Sequence, residues 1–151
     1  MNGNLFRIVL VEDAESDVFL VRKALGQCGL EFELEVFDDG EKGVHFIETL
    51  ERDTSQHHPH LMLLDLNLPK KSGGQILERV RSSPSCGTLA VIILTSSDSD
   101  RDKAMAAQWR ATGYFRKPSQ LDEFMKLGPY VRDVLMRHRQ GETKNGAHPN
   151  S

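Results

Sequence analysis

Apolar residues along this chain follow two rhythms. Phe6–Val11 (FRIVLV) is short and β-branched, the signature of a buried strand. Over residues 15–27, Val18, Val21 and Leu25 recur on one helical face, and Cys28-Gly29 ends that helix. Glu33–Phe37 alternates polar and apolar, as a strand nearer a sheet edge does. Asp39-Gly40 reads as a turn and Glu41–Arg52 as a helix carrying Val44, Ile47 and Leu50. After a polar loop over Asp53–His60, Leu61–Leu64 is a third apolar strand. Gly74–Arg81 is a short helix with Ile76, Leu77 and Val80 apolar. Leu89–Leu94 (LAVIIL) is the most apolar run and a candidate central strand. Ser99–Ala111 predicts a helix, Tyr114–Arg116 a short strand, and Ser119–Arg139 a last helix.

Strand and helix thus alternate five times. Helical crossovers imply a parallel sheet covered on both faces, an α/β fold. Residues 1–139 make one domain. Residues 140–151, with almost nothing to bury, read as a disordered tail. At 151 residues the chain can bury a substantial core. A net charge of −3 gives no case for nucleic acid. No apolar run approaches the roughly 20 residues that span a bilayer, and the N-terminus lacks the features of a signal peptide. Cys28 and Cys86 lie far apart, without metal or redox spacing. These features point to a cytoplasmic protein.

In an open parallel sheet, ligands bind beyond the carboxyl ends of the strands. Glu12 and Asp13 follow the first strand, and Asp65, then Asn67, the third. Thr95, Ser96 and Ser97 follow the fourth, and Lys117 and Pro118 the fifth. Asp65, which ends a run of four apolar residues, therefore caps a strand at the edge of a site. Clustered carboxylates repel one another. A hard divalent cation, Mg²⁺ above all, relieves that repulsion. An Asp beside Mg²⁺, with a lysine and a hydroxyl close by, is suited to nucleophilic attack on phosphorus. Each residue alone could be a turn or helix cap; the four groups together at one sheet edge are what point to a site.

With VED (11–13), LLDLNLP (63–69), GG (73–74), ILTSS (93–97) and GYFRKP (113–118), the chain resembles the receiver domains of response regulators over roughly residues 5–138. The resemblance implies a doubly wound five-stranded parallel sheet in the order 2-1-3-4-5. It makes Asp65 the phosphoacceptor. Asp13 would bind Mg²⁺ directly, Glu12 through water, and Asn67 through its main-chain carbonyl. Thr95 would be the switch hydroxyl and Tyr114 the switch aromatic. Ser96 would face the phosphoryl group with its backbone. Lys117 would pair with that group, and the Lys117–Pro118 bond would be cis. DLNLPKK, the long loop before the third strand, and TSSD narrow the likeness to stand-alone regulators of phytochromes. The implied partners are a sensor histidine kinase of bacteriophytochrome type and a downstream protein target. Receivers resembling this one often pair through the fourth helix, fifth strand and fifth helix, so the resemblance also allows a homodimer by that face. Two positions depart from the family pattern: Ser72 replaces a common acid, and Glu12 the more frequent Asp.

Other readings compete. A phosphohydrolase of the haloacid-dehalogenase type needs an acid two residues past its nucleophile, where Asn67 stands. A flavodoxin-like carrier must cradle phosphate in its first loop, which here is the acidic EDAESD. A pseudo-receiver that signals without phosphate would not need the acceptor and metal residues, all of which are present.

The last helix shows two apolar faces. Leu121, Phe124, Met125, Val131 and Leu135 should pack on the sheet. Leu127, Tyr130 and Val134 are expected to form a partner or dimer surface, the alternative being a wide core face. Pro129 should kink this helix near Met125–Pro129. His57, His58 and His60 read as a solvated loop, and His45 as a helix-surface residue. Trp109 is either packed or part of a partner surface.

Overall fold

The computed structural model describes residues 5–53 and 58–147, with side chains through residue 138. Five strands and six helical segments follow one another. They are β1 (Leu5–Val11), α1 (Glu15–Gln27), β2 (Glu31–Phe37), α2 (Gly40–Arg52), β3 (Leu61–Leu64), α3 (Gly73–Arg81), β4 (Ala90–Thr95), α4 (Asp100–Gln108), β5 (Gly113–Arg116), α5 (Leu121–Phe124) and α6 (Leu127–Ala147). The strands form one sheet in the order β2-β1-β3-β4-β5, parallel throughout. This is the expected order. It reverses direction between β1 and β3, which opens a crevice at their carboxyl ends.

The period-two alternation of β1 divides the core. Phe6, Ile8 and Leu10 join Leu63, Ile92 and Leu94 under α1, α5 and α6. Val9 and Val11 join Met62, Leu64 and Ile93 under α2, α3 and α4. All four residues of β3 and all six of β4 are buried, so both read as continuous apolar runs rather than alternating ones. Trp109 packs with this second layer.

Element limits match the periodicity to within a few residues, and the differences have local causes. α4 stops at Gln108, short of Ala111. Arg110 adopts φ 57°, Arg110 N–H donates to Ala107 O at 3.0 Å, and Ala111 N–H donates to Ala106 O at 2.8 Å. That pair of bonds around a left-handed residue is a Schellman closure.

The last helix departs most from expectation. Instead of one kinked helix there are two, broken at Met125 and Lys126. Pro129 sits in the first turn of α6, where no N–H is required of it. The backbone of α6 continues to Ala147. Residues 140–147, at the start of the expected tail, carry on the helical backbone of α6, and propagating an anchored helix costs far less than nucleating one. Residues 148–151 lie outside the described residues.

The expected partner surface of Leu127, Tyr130 and Val134 is not available. Leu127 and Val134 are buried in the layer beneath α1, and Tyr130 is half-buried against it. The cause is close approach: a Cβ on Gly128 would overlap the carbonyl of Ala24 in α1. That contact presses α6 onto α1 and widens its buried arc. Leu121, expected in the core, is instead 50% exposed.

Candidate functional site

The strands deliver their polar residues at their last position or just past it. Pairing between β1 and β3 runs one residue beyond the strand, with Asp65 N–H donating to Val11 O at 3.1 Å. That bond sets Asp65 beside Glu12 and Asp13. Glu12 N–H donates to Phe37 O at 2.9 Å, which fixes the exit of β1 against β2. Likewise Lys117 N–H donates to Thr95 O at 2.7 Å, so Lys117 leaves β5 level with the end of β4.

Four of the predicted groups meet as a result. The Lys117 ammonium lies 2.7 Å from Glu12 Oε1 and 3.6 Å from Asp65 Oδ2. Glu12 is 1% exposed and Asp65 5%. Glu12, Asp13 and Asp65 can each place a carboxylate oxygen within 4.8 Å of the others, and they are the one such trio of metal-ligating side chains among the described residues. Asp13 is the exposed member. Asn67, also exposed, donates its N–H to Asp65 Oδ1 at 3.3 Å.

Burial raises the pKa of the Glu12 carboxyl from 4.5 to about 7. Lys117 opposes that rise and the charge of Asp65 adds to it. Burial alone would depress the Lys117 ammonium. Its hydrogen bonds to Asp17 and Glu12 outweigh that and hold its pKa above the ordinary 10.5.

Asp17 is the residue that sequence reasoning missed. It stands in the first turn of α1, and its Oδ2 lies 2.7 Å from the Lys117 ammonium. The one signal was its place in the first turn of the helix that follows Glu12 and Asp13.

Thr95 is fully buried at the end of β4, its Oγ1 accepting from Ser97 N–H at 3.3 Å. Ser96 is exposed at the rim. Ser97 Oγ donates to Asp102 Oδ2 of α4 at 2.5 Å, and the Tyr114 hydroxyl donates to Ser97 O at 3.0 Å. Tyr114 thus ties β5 to the loop that holds Thr95. Tyr114 N–H in turn donates to the Tyr130 hydroxyl at 3.2 Å, which accounts for the inward turn of Tyr130. The Lys117–Pro118 bond is trans; no described peptide bond is cis. The trans form is the intrinsically favoured one, and from it Lys117 already reaches both carboxylates.

Two of the loop histidines contact neighbouring elements. His60 Nδ1 accepts from Arg7 N–H at 3.0 Å, and its ring meets Phe6 edge-on at 5.3 Å. His58 Nδ1 lies 3.9 Å from Cys86 Sγ. His57 lies outside the described residues, and His45 is exposed on α2. No helix among the described residues is long and apolar enough to cross a membrane.

The donor set suits a hard divalent cation. Carboxylate oxygens of buried Glu12 and Asp65 and of exposed Asp13 converge at the sheet edge, and burial, with the charge of Asp65 adding to it, makes the ionised form of Glu12 costly there.

Residues 8–127 match the family model of the response regulator receiver domain, and the chain belongs to that family. It is 31% identical over 120 residues to response regulator Rcp1 of Synechocystis sp., covering 80% of this chain and 82% of that one. It is similar in structure to the phosphorylated cyanobacterial phytochrome response regulator RcpA (TM-score 0.78, 26% identity, 87% of this chain and 94% of that one). The Mn²⁺-bound form of Rcp1 is also similar (TM-score 0.75, 29% identity, 83% and 91%).

Proposed function

We propose that this chain is a phosphorylation switch in which Asp65 accepts a phosphoryl group from the phosphohistidine of a sensor kinase. The observation that carries the reading is the division of labour around Lys117. Its ammonium makes hydrogen bonds to Glu12 and Asp17 at 2.7 Å, while Asp65 Oδ2 stands off at 3.6 Å and receives no hydrogen bond from it. An Asp65 oxygen bonds to phosphorus as the P–N bond of the donor breaks. The bonding pair returns to the donor's imidazole nitrogen, which takes up a proton. Glu12, Asp13, Asp65 and the main-chain carbonyl of Asn67 are the groups suited to hold a divalent cation. When bound, Mg²⁺ would supply the positive charge that screens the incoming phosphoryl oxygens from these acids.

After transfer, the new phosphoryl oxygens would draw the Thr95 hydroxyl and the Lys117 ammonium, with Ser96 offering its N–H. Movement of Thr95 disturbs the loop that Tyr114 holds, and so reshapes the face of α4 and β5. The product is the modified protein itself, so the chain acts as a switch rather than a turnover enzyme. Rcp1 and RcpA, described as response regulators, the latter of a phytochrome, favour a phytochrome-type histidine kinase as donor. A cytoplasmic location and output through a downstream protein or onward transfer belong to the same reading. Pairing of two copies through α4, β5 and α6 would have to avoid Leu127 and Val134, which are inside. A phosphate-independent interaction module is the alternative, and the intact site weighs against it.

The deciding experiment is intact-mass measurement after incubation with acetyl phosphate and Mg²⁺. One added phosphoryl group, lost in Asp65→Asn and without Mg²⁺, supports the switch. No addition there, and no beryllofluoride binding, would leave the interaction module.

A further inference from the structure

The loop that carries the phosphoacceptor holds a strained residue well away from the chemistry. Beyond Asp65 the chain makes a three-residue turn in which Lys71 N–H donates to Pro69 O at 2.9 Å, with Lys70 at its centre at φ 71°. This is the rarer, strained hand of the γ-turn, and a residue with a Cβ occupies it only when the surroundings impose it.

The surroundings that impose it are the start of α2. Pro69 O also accepts from Gly40 N–H, at 3.1 Å. A Cβ on Gly40 would overlap the Lys71 carbonyl and stand 2.6 Å from Lys71 Cβ, so the loop lies directly on the glycine. Asp39 Oδ1 caps α2 by accepting from Lys42 N–H at 2.8 Å, and its other oxygen faces the Lys70 ammonium at 3.5 Å. Glu41 Oε1 lies 3.7 Å from the same ammonium. The other end of the loop is held as tightly. Gly73 N–H donates to Leu66 O at 3.1 Å, and a Cβ on Gly73 would overlap the Asp65 carbonyl. The segment between, which contains Asn67, is therefore gripped from both sides.

We infer that the corner formed by Asp39 and Gly40 is a positioning device for the phosphoacceptor loop: by seating the turn at Lys70 on α2, it fixes where Asn67 presents its main chain to the acidic trio. The inference rests on the switch reading above, in which Asn67 and the trio hold a divalent cation. A corner that merely stabilised the fold would change stability and cation affinity together. A positioning corner separates them.

The test uses Gly40→Ala, Lys70→Gly and the double variant, each read three ways: Mg²⁺ affinity by calorimetry, Tm, and amide hydrogen exchange over residues 66–71. Gly40→Ala should weaken Mg²⁺ binding by of order tenfold, as loss of support behind a ligand does, and lower Tm. Lys70→Gly removes the ammonium that faces Asp39 and Glu41 and frees the backbone of the turn, while relieving its strain, so Tm should move little while exchange over 66–71 quickens and Mg²⁺ binding weakens severalfold. In the double variant the freed loop can step away from the new methyl group. Tm should then recover without recovery of Mg²⁺ affinity. Affinity that follows Tm through all three variants overturns the proposal. Should the wild type bind no Mg²⁺, the switch reading is what fails. Exchange over 66–71 then decides the corner's role alone: unchanged exchange in both single variants rejects it.

Discussion

The Lys117 ammonium bonds Glu12 at 2.7 Å across a separation of 105 residues, and both side chains are almost wholly enclosed. A buried ion pair is weak evidence of stability, because desolvation offsets most of the attraction, yet breaking one side of it leaves an unpaired charge. Here the pair also shares space with the proposed cation site. Lys117 and a divalent cation neutralise the same acids and therefore oppose each other.

It follows that Lys117→Ala should bind Mg²⁺ more tightly than the wild type, by of order tenfold, since a like charge has left the site. The variant should also lose most of its capacity to respond to the phosphoryl group. Calorimetric titration with Mg²⁺ checks the first part; an unchanged or weaker affinity would show that Lys117 does not compete with the metal.

The raised pKa of Glu12 gives a pH dependence with a definite sign. Its folded value is about 7 against an ordinary 4.5. Between those values the folded state holds a proton that the unfolded chain has released, so the stability of the metal-free protein should fall as pH rises from about 5 to about 7. Lys117 does not alter this window, because its contribution, raised in the folded state, persists until pH passes 10.5. Saturating Mg²⁺ should flatten the decline by replacing the proton. Urea midpoints across this range, with and without Mg²⁺, are the measurement. Glu12→Gln should be flat in both, and a Glu12→Gln profile that still declines would assign the effect to another group.

How far the sequence could be read depended on how local each feature is. Asp65, Thr95 and Lys117 were legible because each stands at or just past the end of its own strand, and a parallel sheet aligns those ends. Asp17 was not, because its role exists only through a lysine 100 residues away. The γ-turn at Lys70 was hidden for a different reason. Lysine has no preference for positive φ, so nothing in PKKSG announces a conformation that α2 imposes. The two stripes of the last helix were visible, but a stripe does not say what covers it. Gly128, which lets α6 sit against Ala24, decided that the stripe of Leu127, Tyr130 and Val134 would face inward.

That assignment can be tested on two leucines. Leu127 is fully buried and Leu121 is half exposed. Leu127→Ala should cost about 2–5 kcal/mol, the range for a core leucine whose cavity collapses only partly. Leu121→Ala should stay within about 0.5 kcal/mol, as surface substitutions do. Equilibrium unfolding in urea distinguishes them, and similar costs at the two sites would contradict the packing described for α5 and α6.

A last prediction concerns a residue with no part in the chemistry. Arg81, at the end of α3, has no carboxylate among its hydrogen-bond partners in the described residues. Its guanidinium donates instead to main-chain oxygens: Leu89 at 2.8 Å, Gly87 at 3.2 Å, Trp109 at 3.1 Å and Arg110 at 2.8 Å. Burial pulls its pKa below the ordinary value, and the nearby charge of Arg110 adds to that. The carbonyls of Trp109 and Arg110 close α4, where the helix dipole favours a cation. One side chain therefore joins the end of α3, the entry to β4 and the end of α4, which is the helix next to Ser97 and Tyr114. Arg81→Met keeps much of the apolar stem but takes the donor from four carbonyls, three of them part-buried, and should cost about 2–4 kcal/mol. Arg81→Lys should recover only part of this, because an ammonium cannot span the same set of acceptors. The urea midpoints of the two variants are the check. A lysine variant as stable as the wild type would mean that the charge matters at this junction and the planar fork does not.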